Sequence, residues 1–245
     1  MNLKAMERMG YDALNLGVPE LSFGKEFLER THSQVSFPYI ASNLLEGGSR
    51  PSWIREYVIK EVGGVKVAIL GVLDPEDFKK IPNQGDVKGL EVIPPEVALN
   101  RLLPEVRGKA DLVILLSQLG ELGEKKTLAL VEAVEGIDVA IFPERNYAVK
   151  PPEKETIILQ TGFRGMAMGL LSITTDAEGA LRVSERRDIP LDSSVSDNRE
   201  ILGLIEAYKK EQEIKKSQSE RELREGLKLT PEEFFRSYQK KQKAS

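Results

Sequence analysis

Short apolar and polar blocks alternate along residues 11–190 and predict strands and helices in turn. Residues 11–16 read as a short strand ending at Gly17, 24–30 as a short helix, and 37–41 as an extended run. Residues 53–62 alternate and pass through Gly63-Gly64 into the apolar run 65–73, a hairpin signature. Residues 95–106 have the apolar spacing of a helix, with Pro94-Pro95 at its start and Gly108 beyond its end. Residues 111–117 are almost continuously apolar, as in a strand covered on both faces. A helix over 124–135 and a strand over 138–142 complete strand–helix–strand cycles, which favour a layered α/β arrangement. Strands over 156–160, 168–175 and 181–189, with a turn at 176–179, predict an antiparallel meander beside or facing the first sheet. Two packed sheets with helices outside are the expected result.

The last fifty residues follow a different pattern, which divides the chain into a domain over 1–195 and a charged helical extension over 196–245. Ile201, Leu204, Ile205 and Tyr208 form one helical stripe that would dock onto the domain. Beyond Ile214 the stripe thins and opposite charges alternate. Twelve Lys/Arg stand against ten Asp/Glu in 196–245, so a nucleic-acid arm is a poor reading. Thr230, Pro231 and Glu233 form the capping box of a final helix, whose Phe234, Phe235 and Tyr238 would pack against the body or a partner.

Composition narrows the chemistry further. A net charge of −4 gives no global attraction to nucleic acid or an anionic membrane. The first residues lack the apolar core of a signal peptide and no stretch approaches a membrane span. The expected compartment is therefore the cytoplasm, or the periplasm or exterior if a leader or upstream segment was removed. The absence of cysteine excludes disulfides, thiolate nucleophiles and Cys-bound metal. With His32 as the single histidine, no multiple-imidazole transition-metal site can form within one chain. Ser117 has no recognisable His/acid relay, which argues against nucleophilic catalysis.

Several segments, taken in order, carry a resemblance. They are Met9-Gly10-Tyr11-Asp12-Ala13-Leu14-Asn15-Leu16-Gly17, Phe37-Pro38-Tyr39-Ile40-Ala41-Ser42-Asn43, Val65-Lys66-Val67-Ala68-Ile69-Leu70-Gly71 and Leu116-Ser117-Gln118-Leu119-Gly120. Ile137-Asp138-Val139-Ala140-Ile141, then Gln160-Thr161-Gly162 and the run from Gly165 to Ile173, follow. Over roughly residues 3–190 the chain resembles the metallophosphatase (calcineurin-like phosphoesterase) domain of the 5′-nucleotidase family. The resemblance implies an incomplete four-layer α/β/β/α sandwich, because the family's first metal-binding strand–loop segment would precede the matched region. Free sheet edges would then be covered by a second copy or another protein partner.

The family's chemistry is not carried by the matching positions. Its Gly-Asn-His-Glu motif corresponds here to Gly17, Val18, Pro19 and Glu20, so Val18 replaces the asparagine that binds metal and phosphate, and Pro19 the assisting histidine. Gln118 stands for the imidazole of Leu-Ser-His-Leu-Gly, and Glu144 and Asn146 for the two histidines of the later Gly-His-Ser/Thr-His element. Glu20, Asp138 and Glu144 are the residual polar candidates, although loop, edge and capping roles explain the first two more simply. No metal site or cofactor is expected beyond weak Mg2+, Mn2+ or Ca2+ binding by carboxylates such as Glu20, Asp74, Glu76 and Glu144, whose separations form no coordination signature. The expectation is a catalytically degenerate 5′-nucleotidase-like structural or interaction module. The alternatives are a residual or repurposed metal-dependent phosphoesterase and a non-catalytic small-ligand binder.

Overall fold

The computed structural model describes residues 1–143, 156–161, 165–175, 181–227, 230–233 and 235–236. Glu144, Asn146, the 176–179 turn, Phe234 and Tyr238 lie outside them. The chain divides into two compact units, Gly10–Val195 and a helical unit of Met1–Met9 with Ser196–Ser245. The sequence reading assigned the first nine residues to the domain. In the structure they form helix α1 (Asn2–Met9), which pairs with the long α7 (Arg199–Leu227), and Arg8 and Glu200 join them at 2.7 Å. Leu3, Met6, Ile201, Leu204 and Ile205 are only partly exposed, as expected where two amphipathic helices share their apolar stripes. No helix among the described residues is long and apolar enough to cross a membrane.

The larger unit is mixed α/β. It begins with β1 (Leu14–Asn15), α2 (Val18–Leu21), α3 (Lys25–His32), β2 (Tyr39–Ile40) and β3 (Leu44–Glu46). The hairpin β4 (Tyr57–Val62) and β5 (Val65–Leu73) follows, then α4 (Pro75–Phe78), β6 (Leu90–Val92) and α5 (Pro95–Arg107). The rest is β7 (Leu112–Gln118), α6 (Gly123–Ala133), β8 (Val139–Pro143), β9 (Ile157–Thr161), β10 (Ala167–Thr175) and β11 (Leu181–Pro190). The main sheet has the order β4-β5-β7-β8-β9, with the first pair antiparallel and the others parallel. Gly63 (φ 59°) and Gly64 (φ 84°) take the two positive-φ positions of the tight β4–β5 turn, where a side chain would be strained.

One finding departs from the sequence reading. The strand near 156–160 belongs to the main sheet, parallel to β8, so of the three strands expected in the meander β10 and β11 alone pair antiparallel. Periodicity shows that a segment is extended; it carries no information about which neighbour it pairs with.

One face of the main sheet holds the largest core. Ala68, Leu70 and Val72 of β5, Val113 and Leu115 of β7, and Ala140 and Phe142 of β8 pack with Leu99, Leu102 and Val106 of α5 and Leu130 and Val131 of α6. These α5 residues recur three and four apart, so every turn of the helix delivers apolar area to the sheet. The strands alternate, so β1 and β2 meet the opposite face. Gly71 makes this close approach feasible. A Cβ there would lie 2.1 Å from Asn15 Oδ1 and 3.1 Å from Ile40 Cγ1.

Candidate functional site

In open α/β sheets, loops at the carboxyl ends of parallel strands are the usual place for chemistry. Here the turn after β1, the α4 cap after β5 and the end of β7 converge there. Gly17 has an extended backbone and precedes the single turn of α2. The Glu20 carboxylate turns back to accept the Gly17 N–H at 3.0 Å, the reciprocal half of a capping box, which commits it to the local backbone. Val18 is half-buried and Pro19 exposed, and neither side chain offers a ligand atom.

Gln118 is brought to this turn. A Cβ on Gly17 would lie 2.9 Å from Gln118 Cδ and Cγ and 3.2 Å from its Nε2, so the amide packs directly on the glycine backbone. The Gln118 carbonyl also accepts the Asp74 N–H at 3.1 Å, which ties the end of β7 to the end of β5. Asp74 is buried. One of its oxygens caps α4 by accepting the Glu76 N–H at 2.9 Å, and the other pairs with Lys126 from α6. Ser117 Oγ and Thr127 Oγ1 are buried and bond each other at 2.7 Å, a structural use of the hydroxyl.

Asp138 lies at the opposite end of the sheet, before β8. Its Oδ2 accepts the Val113 N–H at 2.6 Å and its Oδ1 pairs with Arg107 at 2.5 Å, an edge-binding role distant in register from Gln118. His32 ends α3, with Nδ1 2.5 Å from the Glu29 carbonyl, and joins none of these groups. Glu76 is exposed and pairs with Lys79 at 2.7 Å. The structure thus gathers Val18, Pro19, Glu20, Asp74 and Gln118 at one edge and separates Asp138 from them. Glu144 and Asn146 fall outside the described residues. Among the described residues no three His, Cys, Asp or Glu side chains are grouped to hold a metal ion. The donor chemistry at the gathered edge agrees, since two positions are aliphatic, one is a packed amide and both carboxylates are committed to capping. These residues do not fit a dinuclear metal centre.

Three polar residues missed in the sequence reading as more than family matches prove central to the architecture. β4 pairs with β5 only as far as Leu70, and beyond it Ser42 and Asn43 complete the β5 edge. Ser42 Oγ accepts the Gly71 N–H at 3.2 Å and donates to Glu56 O at 2.5 Å. Asn43 accepts the Leu73 N–H at 3.1 Å and donates to Leu73 O at 2.9 Å and Ile93 O at 2.8 Å. Asn15 Nδ2 donates to Val72 O at 3.1 Å and Leu116 O at 3.0 Å. Their signal was polarity beside apolar strand residues, which does not distinguish a ligand from a backbone clamp.

The chain is similar to the metallophosphoesterase YunD of Bacillus subtilis, itself uncharacterized, with 30% identity over 181 residues, 72% of this chain and 37% of that protein. It is 28% identical to the 5′-nucleotidase of Vibrio cholerae over 121 residues, 49% of this chain and 22% of that enzyme. Among solved structures, the calcineurin-like phosphoesterase YfkN of Bacillus subtilis superposes with a TM-score of 0.63 at 23% identity, covering 81% of this chain and 69% of that one. A 5′-nucleotidase precursor from Thermus thermophilus gives a TM-score of 0.65 at 23% identity, covering 77% and 40%. The larger unit is a 5′-nucleotidase/metallophosphoesterase-like domain. No family model matches the chain. The similarity covers the metallophosphoesterase-like chain in part, and the chain in turn spans 37% of YunD and 22% of the Vibrio enzyme.

Proposed function

We propose that this 5′-nucleotidase-like domain is catalytically degenerate and serves as a structural or protein-interaction module. One observation supports the reading above the others. At the edge where such a fold places its chemistry, the carboxylates of Glu20, Asp74 and Asp77 are already engaged by the protein itself. Glu20 caps α2, Asp74 caps α4 and pairs with Lys126, and Gln118 packs on Gly17. Val18 and Pro19 add no ligand. Two metal ions normally activate water and neutralise charge in phosphoester hydrolysis, and these residues offer no equivalent.

The full chain should give no turnover above blank with phosphomonoesters, phosphodiesters and nucleotides in Mg2+, Mn2+ or Ca2+. Turnover that disappears in Glu144→Ala, with an unchanged melting temperature, would overturn the reading in favour of a residual or repurposed phosphoesterase.

The interaction role is a proposal of the same kind. Ile69, Ile114, Leu116, Ile141 and Leu159 lie on the sheet face opposite α5 and α6 and remain partly exposed. Central residues of parallel strands are ordinarily covered on both faces. A second copy or another protein covering this face accounts for them. Light scattering across a concentration series should show a dimer, and a monomer at every concentration would eliminate the homodimer.

A further inference from the structure

Helix α7 runs over 29 residues. Its first turns carry the stripe shared with α1, whereas every residue from Lys209 to Ser219 is exposed, including Ile214 at 51%. An apolar stripe cannot be what holds this part. Past Tyr208 the heptad continuations of Ile201, Leu204 and Ile205 are Lys215, Glu211, Gln218, Gln212 and Ser219, so a coiled-coil seam is absent there too. A helix that is polar all round is stable only if its own surface contacts sustain it.

The charge order offers such contacts. Residues four apart are neighbours on a helix, and their ion pairs stabilise it. Among the residues of α7 with described side chains, the charged pairs at this spacing are Glu206–Lys210, Lys209–Glu213, Glu211–Lys215 and Lys216–Glu220, each of opposite sign. Among these described residues no like-charged pair occurs at this spacing. Two of the pairs place glutamate on the N-terminal side, the better orientation. The Glu211–Lys215 pair is closed at 2.6 Å. Its hydrogen bond, ahead of the charge attraction, lowers the Glu211 pKa and raises that of Lys215.

We propose that residues 209–227 form a self-supporting charged helix, a stiff arm that continues past the α1–α7 pair. At about 1.5 Å per residue the arm spans roughly 28 Å. The inference concerns the helical unit alone and stands or falls independently of the degenerate-domain reading.

The chain contains no cysteine, which allows clean site labelling. In the full chain, Ala207→Cys and Ser219→Cys carrying spin labels should give one narrow distance distribution. Its backbone separation should lie near the ~18 Å of twelve helical residues. The added substitutions Lys210→Glu and Lys215→Glu, which turn Glu206–Lys210 and Glu211–Lys215 into like-charged pairs, should abolish the narrow peak and leave the broad spread of a coil. The proposal is overturned by a broad distribution in the parent pair. An unchanged narrow peak after charge reversal would overturn it as well. So would a dipolar signal from singly labelled Ser219→Cys protein, which would show that a second copy supports the helix.

Discussion

The two faces of the main sheet are built by different physics. On the α5/α6 face, seventeen residues form one apolar cluster in which no member exceeds 7% exposure, and cohesion is non-directional burial. On the other face, β1 and β2 are fastened at the carboxyl end by amide and hydroxyl groups that bond directly to strand backbone. Away from the fastenings, Ile69, Ile114 and Ile141 stay partly exposed. Apolar burial tolerates small shifts, because area changes gradually with position. A backbone clamp does not, because a hydrogen bond is lost over a fraction of an ångström. The clamped side is the one that carries the turn at Gly17, so the fold at that edge is retained by bonds that engage Asn15 Nδ2, Ser42 and Asn43.

This contrast can be broken first on the apolar face. Leu115 is fully buried at the centre of the cluster, and Leu115→Ala should lower unfolding free energy by about 2–5 kcal/mol, read from a denaturant melt. A loss below 1 kcal/mol would mean that the helix-covered face is not the main source of stability. On the clamped side, Asn43→Ala strands the Leu73 N–H together with two carbonyls, and each buried unpaired group costs about 1–3 kcal/mol. Amide hydrogen exchange should accelerate at Leu73 before it does at Leu115. Equal acceleration at both positions would contradict a separate clamp.

Gly71→Ala tests the close approach, with an expected cost of about 1–3 kcal/mol from overpacking against Asn15. In an Asn15→Ala background the same substitution should cost less, and strict additivity would show that Asn15 is not what Gly71 accommodates. The smallest effect belongs to the exposed network linking β4 and α5. Lys109 first, then Tyr57, holds the Glu105 carboxyl below its ordinary 4.5. A depressed folded-state pKa contributes stability above the unfolded value, and that contribution fades as pH falls through the folded value. Lys109→Ala should therefore flatten the acid limb of the pH–stability curve slightly, at low salt only. An effect that persists in high salt would place the pair in a less screened setting than its exposure indicates.

Much of this molecule was legible beforehand where the signal is local. The Gly63-Gly64 hairpin, the helix opening at Pro95 and the strand ending at Gln118 each follow from turn chemistry or an apolar period, and each occurs within a residue or two of its expected place. The placement of β9 beside β8 and the pairing of α1 with α7 were not legible, because pairing partners are chosen by surfaces far apart along the chain. The same division runs through the candidate site. That Val18, Pro19 and Gln118 carry neither imidazole nor carboxylate was plain from residue identity. That Glu20 caps its own helix, that Asp138 serves the opposite end of the sheet, and that Gln118 rests on Gly17 were not.

The sequence by itself determined which functional groups the chain possesses: no thiol, one imidazole, and aliphatic or amide side chains at Val18, Pro19 and Gln118. Covalent structure sets that inventory, and folding cannot add to it. Only the tertiary structure decided what the remaining polar groups do. A carboxylate or amide bonds whichever donor or acceptor packing brings within about 3 Å. For Asn15, Ser42, Asn43, Glu20 and Asp138 that partner is the backbone of the protein itself.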